Sequence, residues 1–466
     1  MTEERELRLK NDIIKKLKVY NQNHIIEHIN RLNEKEKDVF LNNLTYLDID
    51  LVFKLYSNFK NQNKEKGDFY ITPAHVITLP KTEDELAFRD KAKRAGEKTI
   101  RENKVAVLIV AGGQGTRLGF EGPKGTFKIS PVKGKSFFQL FSEQLIALSK
   151  KYSARIPLII MTSEENDYDT RNFFYENDYF GLEKDRILFF KQGMLPSLTL
   201  SGDLILKGKY ELATNPDGHG GSLKAIHESG ILEKLISLGY SELFYCQIDN
   251  PLVKILDPVF LGYHILTGSE VSTKVVRRRN IEEKVGVYVN LNGKDAIIEY
   301  SDMDKAYMEA VDEEGKIVYW AGNTAIHAFS LNFIKRLNDH GFALPYHRAK
   351  KKLEIEIMNS INETDVLKFE TFVFDAIPFA KKACAVEVLR EEEFSPVKNK
   401  EGVDSPETAQ KDMILMFKKW LESAGARVNP DIKIEISPIY ALDCQDFVKR
   451  FKGTGVIIDK DIYFGD

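Results

Sequence analysis

The chain has 466 residues, 43% hydrophobic and 29% charged, which is long enough to bury a large core and to divide into two or three domains. Its 67 basic and 70 acidic residues nearly cancel to a net charge of -3, so the overall balance gives no reason to expect nucleic acid or an anionic membrane as partner, and any phosphate site must be local. Three widely separated cysteines, Cys246, Cys384 and Cys444, form neither a disulfide framework nor a metal-ligand spacing and suit a reducing, cytoplasmic compartment; no apolar run reaches the roughly 18 residues that a membrane span needs.

From Glu3 to Leu55 apolar residues recur at three- and four-residue steps, as in Ile13, Ile14 and Leu17 and again in Ile25, Ile26, Ile29 and Leu32, which predicts packed amphipathic helices. The polar stretch NFKNQNKEKGD, ending at Asp68, reads as a loop, and a charged helix from Glu83 to Glu102 leads into VAVLIVAGG. The run from Val105 to Ala111 is too short for most helices and rich in β-branched residues, so a buried parallel strand is expected there. Strands and helices then alternate: amphipathic FFQLFSEQLIALSKKY separates that strand from RIPLIIMTS, and RILFFKQ and SELFYCQIDN follow as further strands. This order predicts an α/β fold with a central, doubly wound, mostly parallel Rossmann-like sheet, whose ligands bind at the carboxyl ends of the strands. VGVYVN, AIIEY and KIVYW read as an antiparallel extension. EGVDSPETAQ resembles a linker, followed by a helix around Met413 to Ala424 and short strands. The expected division is therefore a mainly helical region over 1–100, a central α/β domain over 101–400 and a small α+β domain over 401–466.

The sharpest signal is AGGQGTRLGFEGPKGTFKI, residues 111 to 129, directly after the first parallel strand. Its glycines, Gly112, Gly113, Gly115 and Gly119, let backbone N–H groups approach an anion, Arg117 adds a permanently charged fork and Lys124 a compact point charge. Together they suit a triphosphate. The dinucleotide fingerprint fails on spacing, because Leu118 stands at its sixth place, and the P-loop fails because Ile129 precedes Gly134, Lys135 and Ser136 where that motif begins with glycine. A plain structural turn has no need of both Arg117 and Lys124.

AGGQGTRLG followed by PKG resembles the signature of the UDP-sugar pyrophosphorylases. The match continues in order through FFKQGMLPSL, NPDGHGGSL, FYCQIDNPLVK, KVGVYV, IIEYSD, AGNTAIH, KFETFVFD, VEVLREEEFSPVKN and DSPETA, from about Lys81 to Gln410. It resembles the UDP-N-acetylglucosamine pyrophosphorylases more than the shorter bacterial UDP-glucose enzymes. The resemblance implies a magnesium-dependent nucleotidyltransferase that joins UTP to a sugar 1-phosphate, N-acetylglucosamine 1-phosphate first among them, and releases pyrophosphate. It places Ala111, Gly112 and Gly113 on the uridine and the start of the phosphate chain, Gln192 and Gly218 on the uracil, and Lys368 on the nucleotide phosphates. Asp249, at the end of FYCQID, is implied as the magnesium ligand; Glu299, Tyr300, Asn323 and Lys398 are implied for the sugar phosphate. His219 is a departure: it stands where N-acetylglucosamine enzymes commonly carry asparagine, and GHG resembles the glucose and broad-specificity members, which makes a UDP-glucose or broad-specificity enzyme the alternative. A non-catalytic nucleotide-sugar binding protein is the rival of another class, disfavoured because Arg117, Lys124 and Asp249 are all retained.

Three patterns point elsewhere. HIIEH, with His24, Glu27 and His28, matches an inverted zincin motif but has no evident third ligand region. Arg277 to Arg279 and Lys350 to Lys352 lack the aromatic interleaving of a nucleic-acid platform and read as solvated faces.

Overall fold

The computed structural model describes residues 3–61, 70–357 and 360–465. The chain divides into two compact units, one built from Met1–Phe69, Gln192–Leu223 and Leu344–Val373, the other from Tyr70–Lys191, Lys224–Ala343 and Phe374–Asp466.

The larger unit is organised by its apolar strands. Val105–Val110 lies between Glu242–Gln247 and Leu158–Thr162, and Ile187–Lys191 follows; all four run parallel. On the other side of Glu242–Gln247 the long strand Ala321–Ser330 runs antiparallel to both its neighbours. Beyond it Val271–Arg277, Ala383–Glu387 and Val76–Ile77 are again parallel to one another. The central strands are buried on both faces, as a sheet covered by helices requires. Val287–Leu291 and Lys294–Ile298 form the expected antiparallel hairpin, with Val287 opposite Gly322. KIVYW is not a strand: it makes a single bridge, Val311 to Ile317. Its backbone is used otherwise, since the Tyr319 and Trp320 carbonyls accept from the Arg278 side chain and backbone.

Phe137–Tyr152 is a helix over the predicted residues. Ser136 Oγ accepts from Gln139 N at 3.1 Å, and Phe137, Phe138, Phe141 and Leu145 are buried. Burial of each such side chain stabilises by about 1.5–3 kcal/mol. The cap also explains the Gly-Lys-Ser decoy, because Ser136 starts this helix and Lys135, itself buried, donates to Glu143 at 2.7 Å and Tyr463 at 2.8 Å. EGVDSPETAQ is only in part a connection. Ser405 is the N-cap and Pro406 the first residue of the helix Pro406–Ser423, in a Ser-Pro-Glu-Thr capping box that the linker reading passed over.

Where packed amphipathic helices were expected, the smaller unit has Glu3–Val19, Asn23–Arg31, Glu34–Leu44 and Ile49–Asn61. Leu17, Ile25, Phe40 and Ile49 pack with Leu198 and Phe369, from strands of the same unit. The expected loop after Asn58 begins later than predicted, at the end of the last helix; its residues 62–68 lie outside the described residues. His24 and His28 lie on the second helix and bond through Nε2 to the carbonyls of Leu204 (2.7 Å) and Lys209 (2.8 Å). They fasten a helix to a loop, and no group of three potential metal ligands occurs among the described residues.

Candidate active site

The glycine-rich loop leaves the central strand at its carboxyl end. Ala111 N donates to Met161 O (2.8 Å) and Ile248 N to Val110 O (3.1 Å), so the two neighbouring strand ends hold its base. Fully buried Asn166 reinforces it: Nδ2 donates to Ala111 O at 2.9 Å while Oδ1 accepts from Ser163 N at 2.8 Å. Nothing in the sequence beyond the polar end of RIPLIIMTS signalled this residue. The loop closes on itself through Gly115 N to Gly122 O (2.9 Å) and Lys124 N to Gly113 O (3.1 Å). Gly113 is exposed, and a Cβ added there would meet no atom within 4 Å. Arg117 is exposed and makes no ion pair among the described residues.

Lys124 points back to Asp249, with Nζ 3.2 Å from Oδ2 and both side chains only about 15% exposed. The strand itself ends at Gln247, so Asp249 sits two residues into the following turn rather than on the strand. Asp249 O accepts from Val397 N (2.8 Å), which brings the segment carrying exposed Lys398 alongside. Glu299 and Asn323 are brought together around Gly286: Asn323 N donates to Gly286 O at 2.8 Å, and a Cβ on Gly286 would lie 3.0 Å from Glu299 Oε1. Asn323 Oδ1 accepts from Ala325 N (2.9 Å) within a bulged stretch of its strand, and its Nδ2 has no partner among the described residues. Tyr300 is exposed beside Glu299.

The remaining predicted residues belong to the smaller unit. Met194–Pro196 pairs with Thr214–Pro216 and Asp217 N donates to Gly193 O (3.0 Å), which places Gln192 and Gly218 at the same end of one short ladder. Gly218 has φ +88°, and a Cβ there would lie 2.3 Å from Thr371 O. His219 accepts at Nδ1 from Val373 N (3.2 Å), so in the neutral ring the proton is on Nε2; its ring stacks on Phe372 at 5.5 Å. Lys368 pairs with Glu370 on the same strand face at 2.9 Å.

Neither a buried thiol nor a buried serine triad offers a nucleophile. Burial pushes the Cys246 thiol far up and the Cys384 thiol up to about 12, so neither supplies a thiolate near neutral pH. Ser272, His264 and Glu242 hydrogen-bond in the order of an acyl-transfer triad, at 2.7 and 3.0 Å, but Ser272 is fully buried and out of reach of a substrate. The Arg277–Arg279 run is a solvated face only in part: Arg277 and Arg279 are exposed, Arg277 pairing with Glu387 and lying over Trp320, while Arg278 is buried and donates to the Met308 and Ile281 carbonyls. A cavity of about 320 Å³, lined in part by Arg89, Tyr152, Lys254 and Trp420, contains none of the predicted residues.

Comparison with known proteins agrees with this chemistry. A family model described as UTP–glucose-1-phosphate uridylyltransferase matches residues 49–459. The chain is 35% identical to UDP-N-acetylglucosamine diphosphorylase 1 of Arabidopsis thaliana, covering 92% of this chain and 88% of that protein. It is 34% identical to the UDP-N-acetylglucosamine pyrophosphorylase of Saccharomyces cerevisiae, covering 94% and 98%. Among solved structures, the UDP-N-acetylglucosamine pyrophosphorylase of Trypanosoma brucei, in complex with an inhibitor, superposes with a TM-score of 0.80 at 25% identity, covering 97% of this chain and 98% of that one. With a glycine-rich loop at the carboxyl end of a parallel sheet and that extent of match, the chain belongs to the UTP–glucose-1-phosphate uridylyltransferase family, the UDP-sugar pyrophosphorylases.

Proposed function

We propose that the protein makes UDP-N-acetylglucosamine and pyrophosphate from UTP and N-acetylglucosamine 1-phosphate. The observation that carries the reading is the Lys124–Asp249 pair, 3.2 Å apart beside the open glycine loop that carries exposed Arg117. A magnesium nucleotide brings an anion for Lys124 and a cation for Asp249, and so replaces the pair partner for partner. The choice of sugar is supported by the names of relatives 33–35% identical over about nine-tenths or more of the chain.

In this reading the sugar phosphate oxygen attacks the α-phosphorus of UTP in line and pyrophosphate departs opposite. No general base is needed, because the attacking phosphate is already ionised near neutral pH. The protein positions the reactants and stabilises charge on phosphoryl oxygens: Arg117 holds the β and γ phosphates and Lys124 the α-phosphate. Gln192, whose amide both donates and accepts, reads the uracil edge, with Gly218 at the same base, and Lys368 reaches the nucleotide phosphates. Glu299, Tyr300 and Asn323 take the sugar and Lys398 its phosphate. One carboxylate beside phosphate-binding cations fits magnesium, which uses one or two carboxylates and completes its shell with phosphate oxygens and water. Asp249 would hold it, and it would supply Lewis-acid neutralisation of the nucleotide oxygens. Three free cysteines, and the lack of any helix among the described residues long and apolar enough to cross a membrane, suit action in the cytoplasm.

His219 supports a second reading, a UDP-glucose or broad-specificity enzyme, because its ring is pinned by Val373 N and Phe372 as a fixed Nε2–H donor where an asparagine would offer an amide. Pyrophosphate release from UTP with a panel of glucose, galactose, N-acetylglucosamine and N-acetylgalactosamine 1-phosphates separates the two. Preference for N-acetylglucosamine 1-phosphate supports the first reading, preference for glucose 1-phosphate the second, and no release with any of the four sinks both.

A further inference from the structure

Asn250 directly follows Asp249 and is 3% exposed. Its side chain spends both ends of the amide on one other segment: Nδ2 donates to Glu393 O at 2.7 Å and Oδ1 accepts from Ser395 N at 3.0 Å. Oδ1 also accepts from Leu252 N at 3.2 Å, which fixes the amide on its own side. Together with Val397 N to Asp249 O at 2.8 Å, these bonds zip residues 249–252 to residues 393–397 as a strand partner would, although neither segment is a strand there. A buried amide that satisfies three backbone groups at once has one allowed position, and moving it leaves those groups unpaired.

The clasp is anchored from behind by a fully buried cation. Lys274, 0% exposed, donates to Asp257 at 2.9 Å and to Glu393 at a shorter distance, and its carbonyl accepts from Thr324 Oγ1 at 2.8 Å. Burial acts against the charge on Lys274, but Asp257 and Glu393 together outweigh it and hold the ammonium above the usual lysine range. Segments 249–257, 323–324 and 393–398 are therefore tied to one hub. They carry Asp249, Asn323 and Lys398, and the proposed reaction does not use the hub chemically.

We propose that Asn250 is a positioning residue: its amide sets Asp249, on the nucleotide side, against Lys398, on the sugar-phosphate side. This rests on the functional reading above. Side chains assigned to two substrates sit on two loops with no regular structure of their own, and reactants held about 1 Å out of place lose on the order of 100-fold in rate. Loss of the clasp therefore falls on turnover and on the sugar 1-phosphate more than on UTP, which the glycine loop binds without Asn250.

The test compares Asn250→Ala, which removes all three bonds, with Asn250→Asp, which keeps both acceptor bonds and loses the donor to Glu393. Steady-state kinetics with UTP, magnesium and N-acetylglucosamine 1-phosphate are read beside amide hydrogen exchange at Ser395 and Val397. Expected for Asn250→Ala is a fall in kcat of about 10- to 100-fold, a several-fold rise in KM for the sugar phosphate, a KM for UTP within about two-fold, and faster exchange at both amides. Asn250→Asp, which sets a carboxylate oxygen against the Glu393 carbonyl in a buried place, should fall at least as far in kcat. Kinetic constants within two-fold of the wild type, equal damage to both KM values, unchanged exchange, or failure of both variants to fold would each overturn the proposal. Exchange needs no turnover: a wild type that releases no pyrophosphate sinks the functional reading, whereas unchanged exchange in Asn250→Ala sinks the clasp.

Discussion

Two glycine-rich turns lie within the family match, and they differ in what surrounds their glycines. In the turn Gly218 to Gly221 the protein's own atoms fill the space a side chain would take: a Cβ would lie 2.3 Å from Thr371 O at Gly218, 2.7 Å from the Phe372 backbone at Gly220 and 2.2 Å from Asp217 Oδ1 at Gly221. At Gly113 a Cβ meets nothing, and φ is not in the left-handed region. Internal packing thus accounts for the first set of glycines and not for Gly113. The cations divide the same way, since Lys274 is enclosed by two carboxylates while Arg117 is exposed and unpaired among the described residues. The fold itself accounts for Lys274 and the packed glycines; on the reading proposed above, exposed Arg117 is left for an external phosphate.

That division is sharpest at the open cation. Arg117→Ala should depress turnover by about 100-fold or more, the order seen when a charge-stabilising donor is lost, with the melting temperature unchanged. A pyrophosphate-release assay beside a thermal melt checks both halves. At the closed turn the pattern reverses in kind: Gly220→Ala forces a methyl into backbone and should cost roughly 1–3 kcal/mol of stability, read as a lowered midpoint in urea. Gly113→Ala should raise the KM for UTP by about ten-fold, one crowded phosphate contact, and leave the urea midpoint where it was. If it destabilised the fold instead, the contrast between the two turns would fail.

The smallest effect concerns pH. Asp257 is buried, which raises a carboxyl, but Lys274 and its other partners outweigh this and hold it below its ordinary 3.8, so its contribution is present above that pH and lost as pH falls through the lower folded value. Lys274 is held above its ordinary 10.5, so its contribution is complete below that pH and lost as pH rises through the higher folded value. The hub should therefore add no slope to unfolding free energy between about pH 5 and 9. Urea titrations of the wild type and a Lys274→Met, Asp257→Asn, Glu393→Gln triple variant across that window should run parallel.

The periodic and β-branched segments were legible in the sequence, because strands such as Val105–Val110 and helices such as Phe137–Tyr152 obey local patterns that burial then confirms. KIVYW misled because β propensity there is overridden by Arg278, a side chain some forty residues earlier that takes the carbonyl of Tyr319. The smaller unit could not be read off composition, since it is assembled from three stretches far apart in the chain. Within the site, charged residues in a glycine loop announce themselves. Asn166 and Asn250 did not, because a lone asparagine gains its meaning only from the backbone groups that folding brings to it.

The most direct test is calorimetric binding of UTP and of UMP, with magnesium, to the wild type and Arg117→Ala. Arg117 is assigned to the β and γ phosphates, so its removal should weaken UTP by about 10- to 100-fold, the worth of a charge-assisted contact, and leave UMP within two-fold. UTP binding equal in the two proteins would contradict a triphosphate cradled by this loop.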